Sequence, residues 1–318
     1  MSELISAIVP CFNEEESLPL FYAEIVRVAG IMKSTYGAEF EFLFIDDGSK
    51  DGTLAILRDM HKKDERVRYI SFSRNFGKEA AMIAGLEGSK GDYCVILDAD
   101  LQHPPALIPQ MYEYVAKGEY DCAATRRISR KGEDRLMSFF ARSFYKIINR
   151  VSETEIVDGA QDFRFMTRQM VDAIIALPEY NRFSKGIFSW VGFNTKYIEV
   201  ENVERVAGTT TWNFRKLFLY SLEGMIGYST APLAISSWLG VLFCLVAFVM
   251  IVVTVIKTLV YGEPVKGYPT TICVLCLVGG LQLLCMGITA QYISKMYLEV
   301  KGRPKYIKKE TEDKLSNK

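Results

Sequence analysis

The stretch VILDADLQHPP, Val95 to Pro105, ends an apolar run with two carboxylates that stand one residue apart. Asp98 and Asp100 carry like charges, which repel each other unless a cation lies between them. One interpretation is that the pair holds a metal ion. The alternative is that Asp100 or Gln102 only caps the helix that begins after the prolines. Asp98 stands at the end of the strand itself, where a capping role does not explain it, so we favour the metal ion.

The same stretch closes the fourth of four apolar segments that alternate with helical patterns over the first 100 residues. The four segments are LISAIVP, FEFLFIDDGS, RVRYISFSR and DYCVILDAD. Strands that alternate with helices at this pace predict an α/β fold with a mostly parallel sheet and right-handed crossovers. In such sheets, ligands bind outside the carboxyl ends of the strands.

Polar side chains follow each of these strands at its carboxyl end. They are Asn13 and Glu14, Asp46 and Asp47, Ser73 and Arg74, and Asp98 and Asp100. Because the ends of parallel strands meet at one edge of the sheet, we expect these groups to share a site. The sheet carries neither a GxGxxG nor a GxxxxGK[ST] phosphate motif. A divalent cation, Mg²⁺ or Mn²⁺, on Asp98 and Asp100 is therefore the expected way to neutralise bound phosphates.

Charge is unevenly distributed along the 318 residues. The formal net charge is zero, which argues against nucleic acid as the main partner. No charged residue occurs from Gly224 to Ile256 or from Gly267 to Ser294. Each window can form a helix that crosses a bilayer, which takes about 20 apolar residues, whereas the alternative is a pair of long buried helices. We predict two transmembrane helices, at about 232–258 and 269–293.

Basic residues flank both windows on the same side. The Lys/Arg-rich segment 295–318 follows the second window, and Arg205, Arg215 and Lys216 precede the first. By the positive-inside rule, this pattern predicts a multi-pass protein of the cell membrane whose N-terminal domain and C-terminus are cytoplasmic. The seven scattered cysteines fit a reducing compartment without disulfides.

Four motifs taken together resemble a known family. IVPCFNEEESL, FIDDGSKDGT, RNFGKEAAMIAGL and LDADLQHPP are similar to motifs of the family 2 glycosyltransferases with the GT-A fold. The membrane hairpin and the segment YLEVKGRPKYI resemble the polyprenyl-phosphate glycosyltransferases, which include bactoprenol glucosyltransferases and dolichyl-phosphate mannose synthases. The resemblance implies a Rossmann-like GT-A domain in 1–210, an interfacial helix in 211–230, two membrane helices within 231–294 and a basic cytoplasmic tail in 295–318.

The resemblance also implies three groups of functional side chains. Those expected to bind the nucleotide sugar are Pro10, Phe12, Glu14, Asp46 and Asp98, of which Asp46 would accept a base N–H. Those expected to hold the metal are Asp98, Asp100 and Gln102. Those expected to act on the reacting groups are Asp162, Arg126 and Arg205, with the two arginines directed at phosphates.

Some of these assignments have alternatives within the sequence. The alternatives are Arg127 or Arg130 in place of Arg126, and an Asp162 that merely pairs with Arg164 or Arg168. The chain also departs from the family pattern, because Thr211 stands where the family often has a lysine. We therefore expect binding of the acceptor phosphate to depend more on Arg205 and Lys216.

The resemblance implies an inverting hexosyltransferase that moves a sugar, glucose by overall likeness, from a UDP-sugar to polyprenyl phosphate. With undecaprenyl phosphate as acceptor, the product would be a lipid-linked sugar for the modification of cell-surface glycans. Alternatives are UDP-N-acetylglucosamine or GDP-mannose as donor, a processive polysaccharide synthase, and an inactive membrane scaffold. The sequence lacks the QxxRW signature of the synthases. Gly279 and Gly280 permit close helix approach, and we expect a homo-oligomer, a tetramer.

Overall fold

The computed structural model describes residues 2–127, 149, 157–200, 231–261 and 267–312. The described strands are β1 (Leu4–Cys11), β2 (Glu39–Asp46), β3 (Val67–Phe72), β4 (Tyr93–Ile96), β5 (Cys122–Arg127), β6 (Ala160–Thr167), β7 (Thr195–Val200) and β8 (Lys308–Thr311). The described helices are α1 (Leu18–Tyr36), α2 (Thr53–Lys63), α3 (Lys78–Gly88), α4 (Ile108–Ala116), α5 (Arg168–Ile175), α6 (Ser184–Trp190), α7 (Ala231–Tyr261) and α8 (Tyr268–Val300).

The described strands form one sheet in the order β7-β5-β6-β4-β1-β2-β3-β8. Strands β1 to β4 pair in parallel where they are neighbours, and β5 pairs in parallel with β7. Strand β6 is antiparallel to both β4 and β5, and β8 is antiparallel to β3. The mostly parallel α/β sheet predicted from the alternating pattern is confirmed.

Helices cover both faces of the sheet, which explains why its central strands are mostly apolar. One face packs against α1, α2 and α4, through side chains such as Phe21, Leu57 and Met111. The other face packs against α3, α5 and α6, through side chains such as Met82 and Val171. A strand that is buried on both faces reads as a continuous hydrophobic run, as LISAIVPC does in β1.

Helix α3 lies unusually close to the sheet. A Cβ atom on Gly85 would lie 2.2 Å from Cγ2 of Ile8 in β1, so only glycine fits at this crossing. Ala81 and Ala84, on the same helix, are also buried, and their small side chains permit the close packing. The close contact holds α3 along the sheet and brings the N-terminus of the helix to the carboxyl ends of the strands.

The C-terminal helices are long and apolar, and their described side chains are largely exposed. Trp238 is 74% exposed and Val300 is 85% exposed. By length and composition, Pro232–Met250 and Leu277–Val300 could each cross a membrane. The two helices extend somewhat beyond the predicted spans, and the predicted interfacial helix at 211–230 lies outside the described residues.

The C-terminal segment returns to the sheet, whereas the sequence predicted only a basic cytoplasmic tail. After α8, strand β8 pairs with the edge strand β3, with Ile70 opposite Thr311. Arg58 makes a bidentate ion pair with Glu310, with N–O distances of 2.6 and 2.8 Å. The segment interpreted as a basic tail thus contributes carboxylates and a strand to the N-terminal domain.

Candidate active site

A cavity of about 750 Å³ opens at the carboxyl ends of β1, β2 and β4 and at the N-terminus of α3. The residues lining it are Pro10, Cys11, Phe12, Asn13, Glu14, Glu15, Glu16, Ser17, Asp47, Lys50, Asp51, Asn75, Gly77, Lys78, Ala81, Asp98, Ala99, Asp100 and Gln102. Pro10, Phe12 and Glu14 were predicted to bind the nucleotide, and Asp98, Asp100 and Gln102 to hold a metal. The structure brings these two predicted groups together in one cavity.

The loops after β1 and β2 hold each other in place on one side of this cavity. Asn13, which adopts a left-handed φ of 56°, donates its backbone N–H to Ser49 and accepts the N–H of Lys50 on its side-chain oxygen. The backbone N–H of Glu14 donates to the hydroxyl of Thr53. These cross-links between loops fix the backbone around Phe12, whose ring is 42% exposed and available to a ligand.

Asp46 and Asp47 differ in their access to the cavity, because Asp47 lines it and Asp46 does not. Asp46 is 1% exposed, and it accepts the N–H of Ser49 at 2.9 Å and the hydroxyl of Ser71 at 2.7 Å. Asp47 lines the cavity and accepts the N–H groups of Phe76 and Gly77, at 2.6 and 2.9 Å. The contact of Asp46 with a base N–H stays a prediction, because both of its carboxylate oxygens already accept protein hydrogen bonds.

The chemistry of Asp98, Asp100 and Gln102 fits a hard divalent cation. Two carboxylates and an amide oxygen on one cavity wall are the ligands that Mg²⁺ and Mn²⁺ prefer, with substrate oxygens and water completing the shell. Asp100 also accepts the backbone N–H of Gln102 at 3.1 Å, so the turn after β4 is held in shape. Among the described residues, no group of three or more His, Cys, Asp or Glu side chains could hold a metal alone. The site would thus depend on its substrate for part of its ligand set.

Lys78, the first residue of α3, is the cation that lies next to Asp98. Its Nζ atom is 2.7 Å from Oδ1 of Asp98 and 2.9 Å from Oδ2. The same atom lies 2.7 Å from Oδ2 of Asp162, which arrives on β6 from the far side of β4. One ammonium therefore bridges a carboxylate predicted to bind the metal and a carboxylate predicted to lie at the reacting centre.

The bridge favours the charged forms of Lys78 and Asp162. Burial opposes the charge of Lys78, but Asp98 and Asp162 outweigh burial and raise the pKa of its ammonium. Burial likewise opposes ionisation of Asp162, yet Lys78 and Lys185 hold the pKa of its carboxyl well below the usual range. Asp162 is therefore a carboxylate with very little tendency to accept a proton.

The ion-pair partner of Asp162 is a lysine and not one of the two arginines named as alternatives. Asp162 pairs with Lys78, whereas Arg168 contacts Asp172 at 3.7 Å and donates to the carbonyl of Gly91. Arg164 is 1% exposed and stacks over the ring of Phe188 at 4.2 Å. Neither arginine is the ion-pair partner that the alternative required.

The predicted arginines contribute less to the described cavity. Arg126 lies within β5 and donates from Nε to the carbonyl of Asp158 at 3.0 Å. It is exposed and does not line the described cavity, so its contact with phosphate stays a prediction. Arg205 lies outside the described residues, as do the related predictions on Arg130, Thr211 and Lys216.

Lys78 was not singled out from the sequence, although a signal for it exists. It occupies the first turn of a helix, where the helix dipole disfavours a cation. A lysine in that position indicates a carboxylate partner outside the helix. Here the partners are 20 and 84 residues away in sequence.

Comparison with known proteins gives consistent matches. The sequence model of glycosyl transferase family 2 matches residues 6–175. The putative glycosyltransferase CsbB of Bacillus subtilis is 41% identical over 96% of this chain and 92% of its own length. The SfII prophage-derived bactoprenol glucosyl transferase of Shigella flexneri is 42% identical over 96% of this chain and 98% of its own length. A solved glucosyl-3-phosphoglycerate synthase from Mycobacterium tuberculosis has a TM-score of 0.48 at 15% identity, covering 70% of this chain and 76% of that chain.

Proposed function

Because the chain belongs to glycosyl transferase family 2, we propose that it transfers glucose from UDP-glucose to polyprenyl phosphate, with undecaprenyl phosphate as the bacterial acceptor. Near-full-length similarity to proteins named bactoprenol glucosyl transferase supports the choice of sugar and acceptor. The observation that carries the proposal is the cavity in which Asp98, Asp100 and Gln102 face the loop of Phe12 and Glu14. A nucleoside diphosphate needs a pocket for its base and, next to it, oxygen ligands for the metal ion that neutralises its diphosphate.

Different residues of the cavity would bind different parts of the donor. Pro10, Phe12 and Glu14 would receive the base, with the exposed ring of Phe12 available for stacking. Asp98, Asp100 and Gln102 would hold Mg²⁺ or Mn²⁺, which when bound supplies positive charge to the diphosphate leaving group. Arg126 and Arg205 remain our candidates for direct contacts with phosphate oxygens.

The acceptor supplies its own nucleophile. A phosphomonoester has a second pKa of about 6 and is largely dianionic at pH 7. One of its oxygens attacks the anomeric carbon, the bond from that carbon to the diphosphate oxygen breaks, and the electron pair leaves with UDP. A single in-line displacement inverts the configuration and gives a β-linked product from an α-linked donor.

Asp162 has a positioning and electrostatic role in this scheme rather than that of a proton acceptor. The ammonium of Lys78 holds it at 2.7 Å, and its depressed pKa makes it a weak base. A dianionic phosphate needs no base, so the reaction does not require one. An ionised Asp162 can instead orient the sugar hydroxyls and stabilise positive charge that develops at the anomeric carbon.

The acceptor explains why a glycosyltransferase domain carries two apolar helices. A polyprenyl tail stays in the bilayer, so the cavity must be held at the membrane surface. We propose that α7 and α8 cross the cell membrane as a hairpin, with the catalytic domain and the C-terminus cytoplasmic. A homo-tetramer in the membrane is part of the same proposal.

The deciding experiment is a transfer assay in detergent with undecaprenyl phosphate, Mn²⁺ or Mg²⁺, and radiolabelled UDP- and GDP-sugars. We expect a labelled lipid from UDP-glucose alone, and Asp100→Ala should abolish both transfer and metal-dependent nucleotide binding while the protein remains folded. A lipid product made from UDP-N-acetylglucosamine or GDP-mannose would replace the proposed donor. A growing polymer would indicate a processive synthase, and no turnover with any donor would indicate a scaffold.

A further inference from the structure

A second cavity, of about 520 Å³, lies where the C-terminal end of α8 meets the catalytic domain. We call it the tail cavity. The residues lining it are Glu87, Pro178, Tyr180, Glu299, Gly302, Arg303, Pro304, Lys305, Tyr306 and Lys308. Gly302, which has a left-handed φ of 58°, turns the chain after α8 so that Arg303 to Lys308 run back along the domain.

The two carboxylates of the tail cavity are already satisfied by protein donors. Glu299 accepts the backbone N–H groups of Tyr180 and Asn181 and the side-chain amide of Asn181, each at 2.9 Å. Glu87 accepts the hydroxyl of Tyr306. These bonds close the walls of the cavity and leave little acceptor capacity for an added cation.

The three cations of the tail cavity form no close ion pair with any described residue, although the charges of Glu87 and Glu299 lie near Lys305. Within the described chain, Arg303, Lys305 and Lys308 make no ion pair within 4.0 Å. Lys305 donates to the carbonyl of Leu177 at 3.1 Å, and Lys308 lies 5.9 Å from the ring centre of Tyr306. Burial, together with the nearby charge of Arg182, lowers the pKa of the Lys305 ammonium. The lining counts three cations against the carboxylates of Glu87 and Glu299, a formal surplus of one positive charge that an anion can neutralise.

The position of the tail cavity indicates which kind of anion it binds. Helix α8 has 33 residues and is about 50 Å long at 1.5 Å per residue. A bilayer with its headgroups is about 40–45 Å thick. If α8 crosses the membrane as proposed above, the residues just after Val300 lie at the level of the cytoplasmic lipid headgroups.

The tail cavity is separate from the catalytic cavity. The two share no lining residue, and α3 runs from Lys78 in the first to Glu87 in the second. Nine residues of helix separate these ends by roughly 13 Å. A phosphate in the tail cavity is thus too far away to attack a sugar held near Asp98.

We propose that the tail cavity binds the phosphate headgroup of an anionic phospholipid from the surrounding bilayer. Arg303 and Lys308 contact the phosphate, and the bound lipid fixes the end of α8 against the catalytic domain. This inference rests on the membrane placement in the proposed function, but not on the identity of the sugar or the acceptor. Basic residues just beyond a transmembrane helix attract anionic headgroups by the same electrostatic mechanism.

The test measures lipid retention by the full-length protein in neutral detergent. Native mass spectrometry counts bound phosphatidylglycerol and phosphatidylcholine for the wild type, for Arg303→Gln with Lys308→Gln, and for the control Lys301→Gln with Lys309→Gln. The control removes the same charge from the same segment, at residues that do not line the tail cavity. Circular dichroism and size exclusion check that each variant is folded.

We expect the wild type and the control to retain one phosphatidylglycerol in preference to phosphatidylcholine. The cavity variant should bind phosphatidylglycerol about 25-fold more weakly, since each of the two cations near an anionic lipid contributes about fivefold. Equal retention by the cavity variant and the control would overturn the proposal.

Competition separates the phospholipid from other phosphates. Displacement of phosphatidylglycerol by undecaprenyl phosphate at equal concentration would assign the tail cavity to the acceptor, and displacement by millimolar inorganic phosphate would make it a free-anion site. Either outcome would refute the phospholipid assignment. Lipid retention is scored without any sugar donor, so failure of the transfer assay leaves this result intact and the reverse also holds.

Discussion

Replacing Lys78 by methionine tests the central feature of the active site. Methionine keeps the length and apolar character of the side chain but removes the ammonium that bridges Asp98 and Asp162. The two carboxylates would then face each other with no cation between them. We expect opposite effects on folding stability and on metal affinity.

The effect on stability follows from the distances and the exposure. A charge pair at 2.7 Å has a Coulomb energy of about 6 kcal/mol at an effective dielectric of 20. The side chains are 42%, 26% and 20% exposed, so water screens the pairs and the net value is far smaller. We expect Lys78→Met to lower the free energy of unfolding by about 2–3 kcal/mol without metal, between the values for exposed and buried pairs.

The effect on the metal has the opposite sign. Nζ of Lys78 lies within 2.9 Å of both carboxylate oxygens of Asp98, so a cation must displace it to reach them. We expect Lys78→Met to bind Mn²⁺ about tenfold more tightly in the absence of nucleotide, a change of about 1.4 kcal/mol. Titration followed by electron paramagnetic resonance measures this affinity directly. Transfer should nevertheless slow about tenfold or more, because Asp162 loses the group that positions it.

Lys50→Met is the matched control. Lys50 lines the same cavity and makes no ion pair in the described part of the chain, so its removal lowers the local charge equally without freeing Asp98. The reasoning is refuted if Lys78→Met binds Mn²⁺ no more tightly than Lys50→Met, or if the two variants unfold at the same denaturant concentration.

Three further variants test contacts that hold the sheet and its helices together. Arg66 and Tyr22 lower the pKa of Asp64 to about 2, so the stability from Asp64 is present above about pH 4 and is lost as pH falls toward 2. Asp64→Asn should lower the free energy of unfolding, measured in urea at pH 7, by about 1–2 kcal/mol. The stability of this variant should also fall less between pH 4 and pH 2 than that of the wild type. An equal loss of stability over this range would show that Asp64 is not the group responsible. Glu310→Gln should loosen β8 and speed amide exchange in β3, and exchange at the wild-type rate would show that the ion pair with Arg58 does not hold the strand. Gly85→Ala should lower stability by about 1–3 kcal/mol in thermal unfolding, because the added methyl overlaps Ile8; a rise in the melting temperature would show that α3 can shift.

The sequence was sufficient to predict the architecture and the place of the cavity. Strands buried on both faces must be apolar along their length, so LISAIVPC and its successors were recognisable as a parallel sheet. Ligand sites in such a sheet lie at the carboxyl ends of the strands, so Asp98 and Asp100 were predictable as residues of the cavity without knowledge of any contact. The long charge-free windows likewise predicted two long apolar helices.

The contacts that connect distant segments were decided only by the tertiary structure. Lys78 reaches Asp162 because α3 crosses β1 at Gly85 and β6 inserts beside β4, and no local pattern encodes that meeting. Strand β8 has the sequence KKET, which lacks a strand pattern, and its place depends on the open edge of β3 and on the cation of Arg58. Local sequence determines the elements, because hydrophobic periodicity is a local property. Ion pairs and edge strands depend on which surfaces the completed fold brings within a few ångströms of each other.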